Sequence, residues 1–234
     1  MIKFINGDSY RDIYFVGDIH GQRDKLIKQL TEMGFDFEKD LCVATGDLVD
    51  RGSQGYETAM LLNESWFESV LGNHDHFCVQ GYFDSRYENA HKQANNGGAW
   101  FYELENSKQV ELVNLFSNLP YLIELEKDGK KYGVVHADLP YYDWEVVKKA
   151  LISNKPVVTP YSNRDRDIKM WLIWARELVY KRGYEIANID HVFIGHTALN
   201  KKLTVGNVSF VDSGSVYNDG DLCIVRVYGR GCHS

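Results

Sequence analysis

Cysteine is scarce in this chain: Cys42, Cys78, Cys223 and Cys232 form no Cys-x-x-Cys pair and no closely spaced framework. That excludes a disulfide-stapled secreted scaffold and a thiolate zinc module. Cys42 and Cys223 lie inside apolar runs, the pattern of buried thiols in a reducing cytosol. Proline is equally thin at 4 residues and charged residues stop at 25%, so no long disordered tract is expected. No stretch approaches the ~20 apolar residues of a membrane span. The N-terminal MIKFINGDSYRDIYF is broken by Asn6, Asp8, Arg11 and Asp12, leaving no signal core. A net charge of −7 argues against a nucleic-acid or anionic-membrane surface. The expectation is a cytoplasmic protein with no membrane partner and no stable nucleic-acid binding. Also missing are G-x-x-x-x-G-K-[ST], G-x-S-x-G, and G-x-G-x-x-G after the first strand. Their absence sets aside P-loop ATPases, serine hydrolases of that type and dinucleotide-dependent dehydrogenases.

What is present is core-forming material: 44% apolar residues, with 5 Trp, 15 Tyr and 11 Phe. A chain of 234 residues fits one domain, 1–234. Short β-branched runs predict buried strands at Ile13 to Val16, Leu41 to Ala44, Phe67 to Leu71, Tyr132 to Val135, His191 to Ile194, Val208 to Val211 and Leu222 to Val227. Helical spacing marks Lys25 to Met33, Tyr56 to Asn63, Val110 to Phe116 and Ile168 to Tyr180. Strand–helix alternation followed by closely spaced strands predicts a layered α/β fold with a mixed or two-sheet core. The stretch 141–167 is the least regular and is expected to be a loop or lid, its Arg164-Asp165-Arg166 run solvated.

Five strand ends carry one kind of cargo. They read Gly17-Asp18-Ile19-His20-Gly21, Gly46-Asp47-Leu48-Val49-Asp50-Arg51-Gly52, Gly72-Asn73-His74-Asp75, His136-Ala137-Asp138 and Gly195-His196-Thr197. The carboxyl ends of strands line the ligand crevice of an α/β sheet, so these ends can converge. Apart from His74 the set offers Asp18, Asp47, His20, His136, His196 and Asn73. Carboxylate, imidazole and amide donors suit manganese, iron or zinc. A single zinc needs three or four of them, whereas two ions ~3.5–4 Å apart, bridged by a carboxylate, need this many.

GDIHG, GDLVDRG, GNHD, VVHAD and FIGHT resemble the metal-dependent phosphoprotein phosphatases, or calcineurin-like metallophosphoesterases. The resemblance is closest to the phage lambda type of serine/threonine protein phosphatase, and NNGGAWF, LIWARE and FVDSGSV extend it over nearly the whole chain. It implies two mixed β-sheets packed together with flanking helices, and metals at the strand C-terminal ends. It implies two divalent ions, manganese first, with iron or zinc compatible. Asp18 and His20 would hold one, Asp47 would bridge, and Asn73, His136 and His196 would complete the other. His74 takes the acid position, with Asp50 as its orienting carboxylate, and Arg51 and Arg176 match phosphate-binding arginines.

The implied reaction is phosphomonoester hydrolysis of phosphoserine or phosphothreonine proteins, extending to phosphotyrosine and small aryl phosphates. A metal-bridging hydroxide would attack phosphorus directly, without a covalent enzyme intermediate. Dinucleoside polyphosphate hydrolysis and phosphodiester hydrolysis are the enzymatic alternatives. A non-catalytic binding protein is disfavoured, since no ligand position is lost. Two departures stand out: Leu71 occupies the place of the usual arginine before Gly-Asn-His, and Asp75 that of a glutamate. His76, His91, His191 and His233 read as core or surface residues, though His76 is close enough to support His74. Trp100 and Phe101 read as core packing, and Asp138 as either a support for His136 or a turn residue.

Overall fold

Side-chain alternation decides which way each strand faces. A computed structural model describes residues 1–154, 156–159, 162–218 and 220–229, so His233 and Cys232 lie outside the described residues. In chain order the strands are β1 (Ile2–Asn6), β2 (Asp12–Val16), β3 (Leu41–Ala44), β4 (Phe67–Ser69), β5 (Leu122–Lys127) and β6 (Lys130–Val135). They continue with β7 (Val157–Thr159), β8 (Ser162–Arg166), β9 (His191–Ile194), β10 (Leu203–Val205), β11 (Val208–Phe210) and β12 (Ile224–Tyr228). One sheet has the order β12-β2-β3-β4 and the other β1-β5-β6-β9-β11-β10, while β7 and β8 form a hairpin. Both large sheets are mixed: β2, β3 and β4 are parallel, as are β6, β9 and β11, whereas β12, β5 and β10 join antiparallel.

Within β2, Ile13 and Phe15 point to one face and Tyr14 and Val16 to the other, and every residue is buried because both faces are covered. Ile13, Phe15, Leu41 and Val43 meet Ile123, Leu125, Val134 and Phe193 of the second sheet. Phe15 stacks on Phe193 with centroids 4.0 Å apart, a contact worth roughly 0.5–1.5 kcal/mol beyond its buried area. The outer face of the four-stranded sheet packs against α1 (Arg23–Glu32), α2 (Gly55–Ala59), α3 (Asn73–Phe83), α5 (Ala99–Glu103) and α6 (Asn106–Ser117), with α4 (Ser85–His91) lying on α3. α7 (Trp144–Ser153) and α8 (Ile168–Trp174) cover the other sheet, and α9 (Ser215–Asn218) is a short late turn. The layered α/β architecture expected from the sequence is the one observed.

Three local expectations need correcting. The stretch 141–167 is not an irregular loop: it contains α7 and the β7–β8 hairpin, so Arg164-Asp165-Arg166 belongs to a strand. Asp143 caps α7 by accepting from Glu145 N and Val146 N, and Trp144, Val147 and Leu151 bury its inner face at helical spacing. The helix predicted over Ile168 to Tyr180 ends at Trp174, where Ala175 turns extended, and Leu178–Tyr180 is a separate 3-10 turn. Cys223 is half-buried, not fully buried. Among the described residues no helix is long and apolar enough to cross a membrane.

Candidate metal centre and active site

Parallel β2, β3 and β4 in one sheet and parallel β6 and β9 in the other deliver their carboxyl ends to a common edge. Asp18 and His20 follow β2, and Asp47, Asp50 and Arg51 follow β3. Asn73 and His74 open α3 just beyond β4, while His136 and His196 follow β6 and β9. Asp18, His20, Asp47, Asp50, Asn73, His74, His136 and His196 are each at most 6% exposed. Burying so many ionisable groups is costly unless each has a partner or a cation.

Backbone strain concentrates here. His20, Asp47, Asp50, Arg51 and His196 have φ of 47, 50, 73, 66 and 65°. A side chain in that left-handed region costs on the order of 1–3 kcal/mol and persists only where its surroundings hold it. The loops after β2, β3 and β4 hold one another: Ile19 N and His20 N donate to Asp47 O, and Leu48 N donates to Asp75 Oδ1. Asp75 Oδ2 also accepts from Gly72 N, so the aspartate in the glutamate position ties the β3 and β4 loops together. Only glycine fits at 72, since a Cβ there would lie 2.1 Å from Asp47 N.

Three imidazoles are fixed by main-chain carbonyls. His20 Nδ1–H donates to Val49 O at 2.9 Å, His136 Nδ1–H to Thr45 O at 2.7 Å, and His196 Nε2–H to Trp174 O at 3.3 Å. That choice of tautomer leaves His20 Nε2, His136 Nε2 and His196 Nδ1 as free lone pairs. Asn73 Oδ1, His196 Nδ1 and Asp47 Oδ1 lie 2.9, 3.1 and 3.4 Å from His136 Nε2. These are acceptors facing acceptors, an arrangement that a shared cation satisfies. On its other side Asp47 Oδ2 stands 3.7 Å from His20 Nε2 and 4.0 Å from His74 Nε2. Two clusters of candidate ligands, His20-Asp47-His74 and Asp47-His136-His196, therefore share Asp47. Arg51 places Nη1 against Nε2 of His20, a cation on the lone pair of a candidate ligand.

Asp18 is less closely engaged. Both its oxygens accept from His196 N at 3.0 Å, and Oδ1 also accepts from Thr45 Oγ1. Burial and the neighbouring Asp212 and Asp47 push its carboxyl well above the usual range. Burial lowers His20 to about 3 and also depresses His136 and His196, which keeps all three neutral and able to ligate. Oxygen and neutral nitrogen donors around crowded carboxylates fit divalent manganese, iron or zinc.

Asp212 was not singled out from the sequence. It follows β11, accepts from Gly214 N, and burial with the charge of Asp47 raises it to about 6. An acid raised this way stabilises the fold below its unfolded pKa of ~3.9, and that contribution is lost as pH climbs through about 6. Asp212→Asn is therefore expected to raise the melting temperature of metal-stripped protein by several degrees at pH 8 and to do little at pH 4. Scanning calorimetry at the two pH values checks this, and an equal shift at both would refute it.

His74 lies beside the donor set. Its Nδ1–H donates to Asp50 Oδ2 at 2.6 Å, and its backbone N donates to Asp47 Oδ1 at 2.9 Å. Burial alone would lower its pKa, but Asp47 and the bonded Asp50 outweigh that and raise it. Sequence reasoning missed two partners of Asp50. His91 Nε2–H donates to Oδ2 at 2.8 Å and Trp100 Nε1–H to Oδ1 at 2.8 Å, so neither is mere packing, while Phe101 is. The only signal in the sequence was the Asn-Asn-Gly-Gly-Ala-Trp stretch, which fixes no partner.

Arg51 is half-buried with its Nε lacking a partner, and its guanidinium lies 5.2 Å from the Tyr217 ring centroid. Arg176 sits on the coil past α8, not on the helix, and donates from Nη2 to His196 O at 3.4 Å. Asp138 accepts from Leu139 N at its own strand end and holds that coil by accepting from Glu177 N and Leu178 N. Leu71 is 4% exposed and packs in the core behind the four-stranded sheet. His76 is buried with Nδ1 lacking a partner, its ring edge-on to Tyr87, and burial lowers it to about 4. His191 bonds Ser209 Oγ, a structural role.

A two-sheet α/β layer with oxygen and nitrogen donors gathered on one shared carboxylate is the architecture of a two-metal hydrolase. Residues 12–200 match the calcineurin-like phosphoesterase family, and the chain belongs to it. Serine/threonine-protein phosphatase 1 of Salmonella typhimurium is 33% identical over 95% of this chain and 95% of its own length. A symmetrical bis(5'-nucleosyl)-tetraphosphatase of Proteus mirabilis is 33% identical over 58% of this chain and 48% of that protein. A solved protein serine/threonine phosphatase from Saccharomyces cerevisiae shares the fold with a TM-score of 0.60 at 18% identity, covering 100% of this chain and 85% of that one. The protein is thus a metallophosphoesterase of a family that uses paired divalent ions.

Proposed function

We propose that the chain is a phosphomonoesterase that dephosphorylates phosphoserine and phosphothreonine in proteins, with phosphotyrosine and small aryl phosphates as further substrates. The observation that carries this reading is the His74–Asp50 pair, 2.6 Å apart, beside donors gathered on Asp47. Asp18, His20 and Asp47 would hold one divalent ion and Asp47, Asn73, His136 and His196 the other, manganese being the first candidate. Bound there, the ions supply charge neutralisation and a water of lowered pKa, toward ~7 against 15.7 in bulk.

The remaining chemistry belongs to side chains. Arg51, with a buried Nε–H to spare, and Arg176 grip phosphoryl oxygens as planar forks. His74 delivers its Nε2 proton to the leaving oxygen while Asp50 fixes the ring and favours its charged form. No Ser or Cys nucleophile is required. The near-complete mutual coverage with a serine/threonine phosphatase at 33% identity supports the protein substrate over a dinucleoside polyphosphate, since the tetraphosphatases of Proteus mirabilis and Buchnera aphidicola align over 58% and 74% of this chain.

The test is hydrolysis by metal-stripped protein with and without added Mn²⁺, comparing a phosphoserine peptide with a dinucleoside tetraphosphate. Manganese is expected to restore activity, with kcat/KM for the peptide about tenfold or more above that for the dinucleotide. The reverse preference would move the assignment to the polyphosphate hydrolase.

A further inference from the structure

Asp50 is fully buried, yet its carboxylate is held from three helices at once. His74 in α3, His91 at the end of α4 and Trp100 in α5 each give it one N–H, at 2.6, 2.8 and 2.8 Å. A carboxylate with one partner can rotate about its last torsion, whereas three donors fix its plane. His91 is itself locked. It stacks on Phe77 with centroids 5.2 Å apart at 12°, and its Nδ1 accepts from the Tyr102 hydroxyl at 3.1 Å. Glycine at 98 makes this placement available, because a Cβ there would lie 1.9 Å from the His91 ring. Asp50 needs such holding, since its φ is 73°.

We propose that His91, seconded by Trp100, is a positioning residue that fixes Asp50 and thereby aims His74 at the leaving oxygen. The role rests on the reading of His74 as proton donor. Asp50, His91 and the buried Cys78 also lie close enough together to suggest a third metal site. Hydrogen bonding argues otherwise: both Asp50 oxygens and both His91 nitrogens are already engaged.

A positioning role has a signature that structural damage lacks, namely dependence on the leaving group. Phenoxide needs a proton far more than p-nitrophenoxide does, so misaiming His74 penalises phenyl phosphate selectively. The experiment measures kcat and KM of manganese-loaded wild type, His91→Leu, His91→Gln, Trp100→Phe and His74→Asn on both esters, with manganese content and melting temperature alongside. His91→Leu is expected to lower kcat on phenyl phosphate by on the order of 10–100-fold and on p-nitrophenyl phosphate much less. KM and manganese content stay unchanged. Gln carries an amide N–H near the place of Nε2 and restores most of the loss, and Trp100→Phe shows the same selectivity more weakly.

Equal losses on both esters in His91→Leu, while His74→Asn remains selective, would overturn the positioning role and leave the acid assignment intact. If His74→Asn is itself unselective, the acid assignment fails and the proposal fails with it. Should His91→Leu not fold, His91→Gln and Trp100→Phe decide: selectivity in Trp100→Phe with near-normal kcat in His91→Gln supports the role, and its absence overturns it.

Discussion

Asp47→Asn is expected to drop manganese content from about two ions per chain to one or fewer and to lower phosphomonoesterase activity by about 10³-fold. Asp47 is the residue common to both candidate ligand clusters, with Oδ1 toward His136 and Oδ2 toward His20. Asparagine has the same shape and can still accept from His74 N through Oδ1, so the loop should survive. What it loses is the charge and one of the two oxygens needed to serve two ions. Several kcal/mol of phosphoryl charge stabilisation then go with the metal, and ~4 kcal/mol is ~10³ in rate.

Stability gives an independent readout. An ion at 100 times its Kd stabilises the native state by ≈2.7 kcal/mol, which is about 5–10 °C for a chain of this size. Wild type should show that manganese-dependent shift and Asp47→Asn should lose most of it. Elemental analysis and scanning calorimetry decide the matter. Full metal content with wild-type activity in the variant would remove Asp47 from the centre of the site.

The donor-bearing strand ends were legible because their chemistry is local. Each follows a short β-branched run, and buried parallel strands require such runs. β1, β5 and β10 were not picked out. β1 is an edge strand with mostly exposed residues, and β10 has one buried residue in three. In β5, Glu124 and Lys127 break the apolar pattern yet are buried, Glu124 through bonds from Trp144 Nε1 and Lys148 Nζ. Those partners lie about twenty residues away and cannot be read locally.

Helix α3 escaped for the opposite reason. Asn73, His74, Asp75, His76, Phe77 and Cys78 are consecutive and all buried, so no amphipathic period marks its start. Asn73 and His74 there face the site, Phe77 packs on His91 and Cys78 faces the core, so no single apolar stripe forms. The Asp50 partners were invisible for a third reason. His91 and Trp100 lie 41 and 50 residues from Asp50 and belong to no motif whose chemistry demands them. Sequence alone supports a ligand list, while the support for that list is assembled by tertiary packing.

His74→Asn is expected to lower kcat on a phosphoserine peptide by about 10²–10⁴-fold, with a smaller loss on p-nitrophenyl phosphate. An alkoxide leaving group is strongly basic and cannot depart without a proton, whereas p-nitrophenoxide can. Asparagine retains an amide donor toward Asp50 and the helix-opening backbone of α3, so the proposed ligand Asn73 next to it should stay in place. The pH profile carries the sign. In the proposed role His74 would act in its protonated form, so wild-type kcat should fall as pH rises past its pKa.

Asp47 and the bonded Asp50 raise that pKa in the protein alone, and ions on Asp47 would cancel part of the first contribution. The Asp50 bond then remains to keep the proton on, which is why a 2.6 Å contact within a fully buried carboxylate network matters to the chemistry. Removing His74 should erase this alkaline limb, leaving a residual rate without it. Rates measured from pH 5 to 9 on both substrates test the assignment. An alkaline limb that survives in His74→Asn, or equal losses on both leaving groups, would assign the proton to another residue.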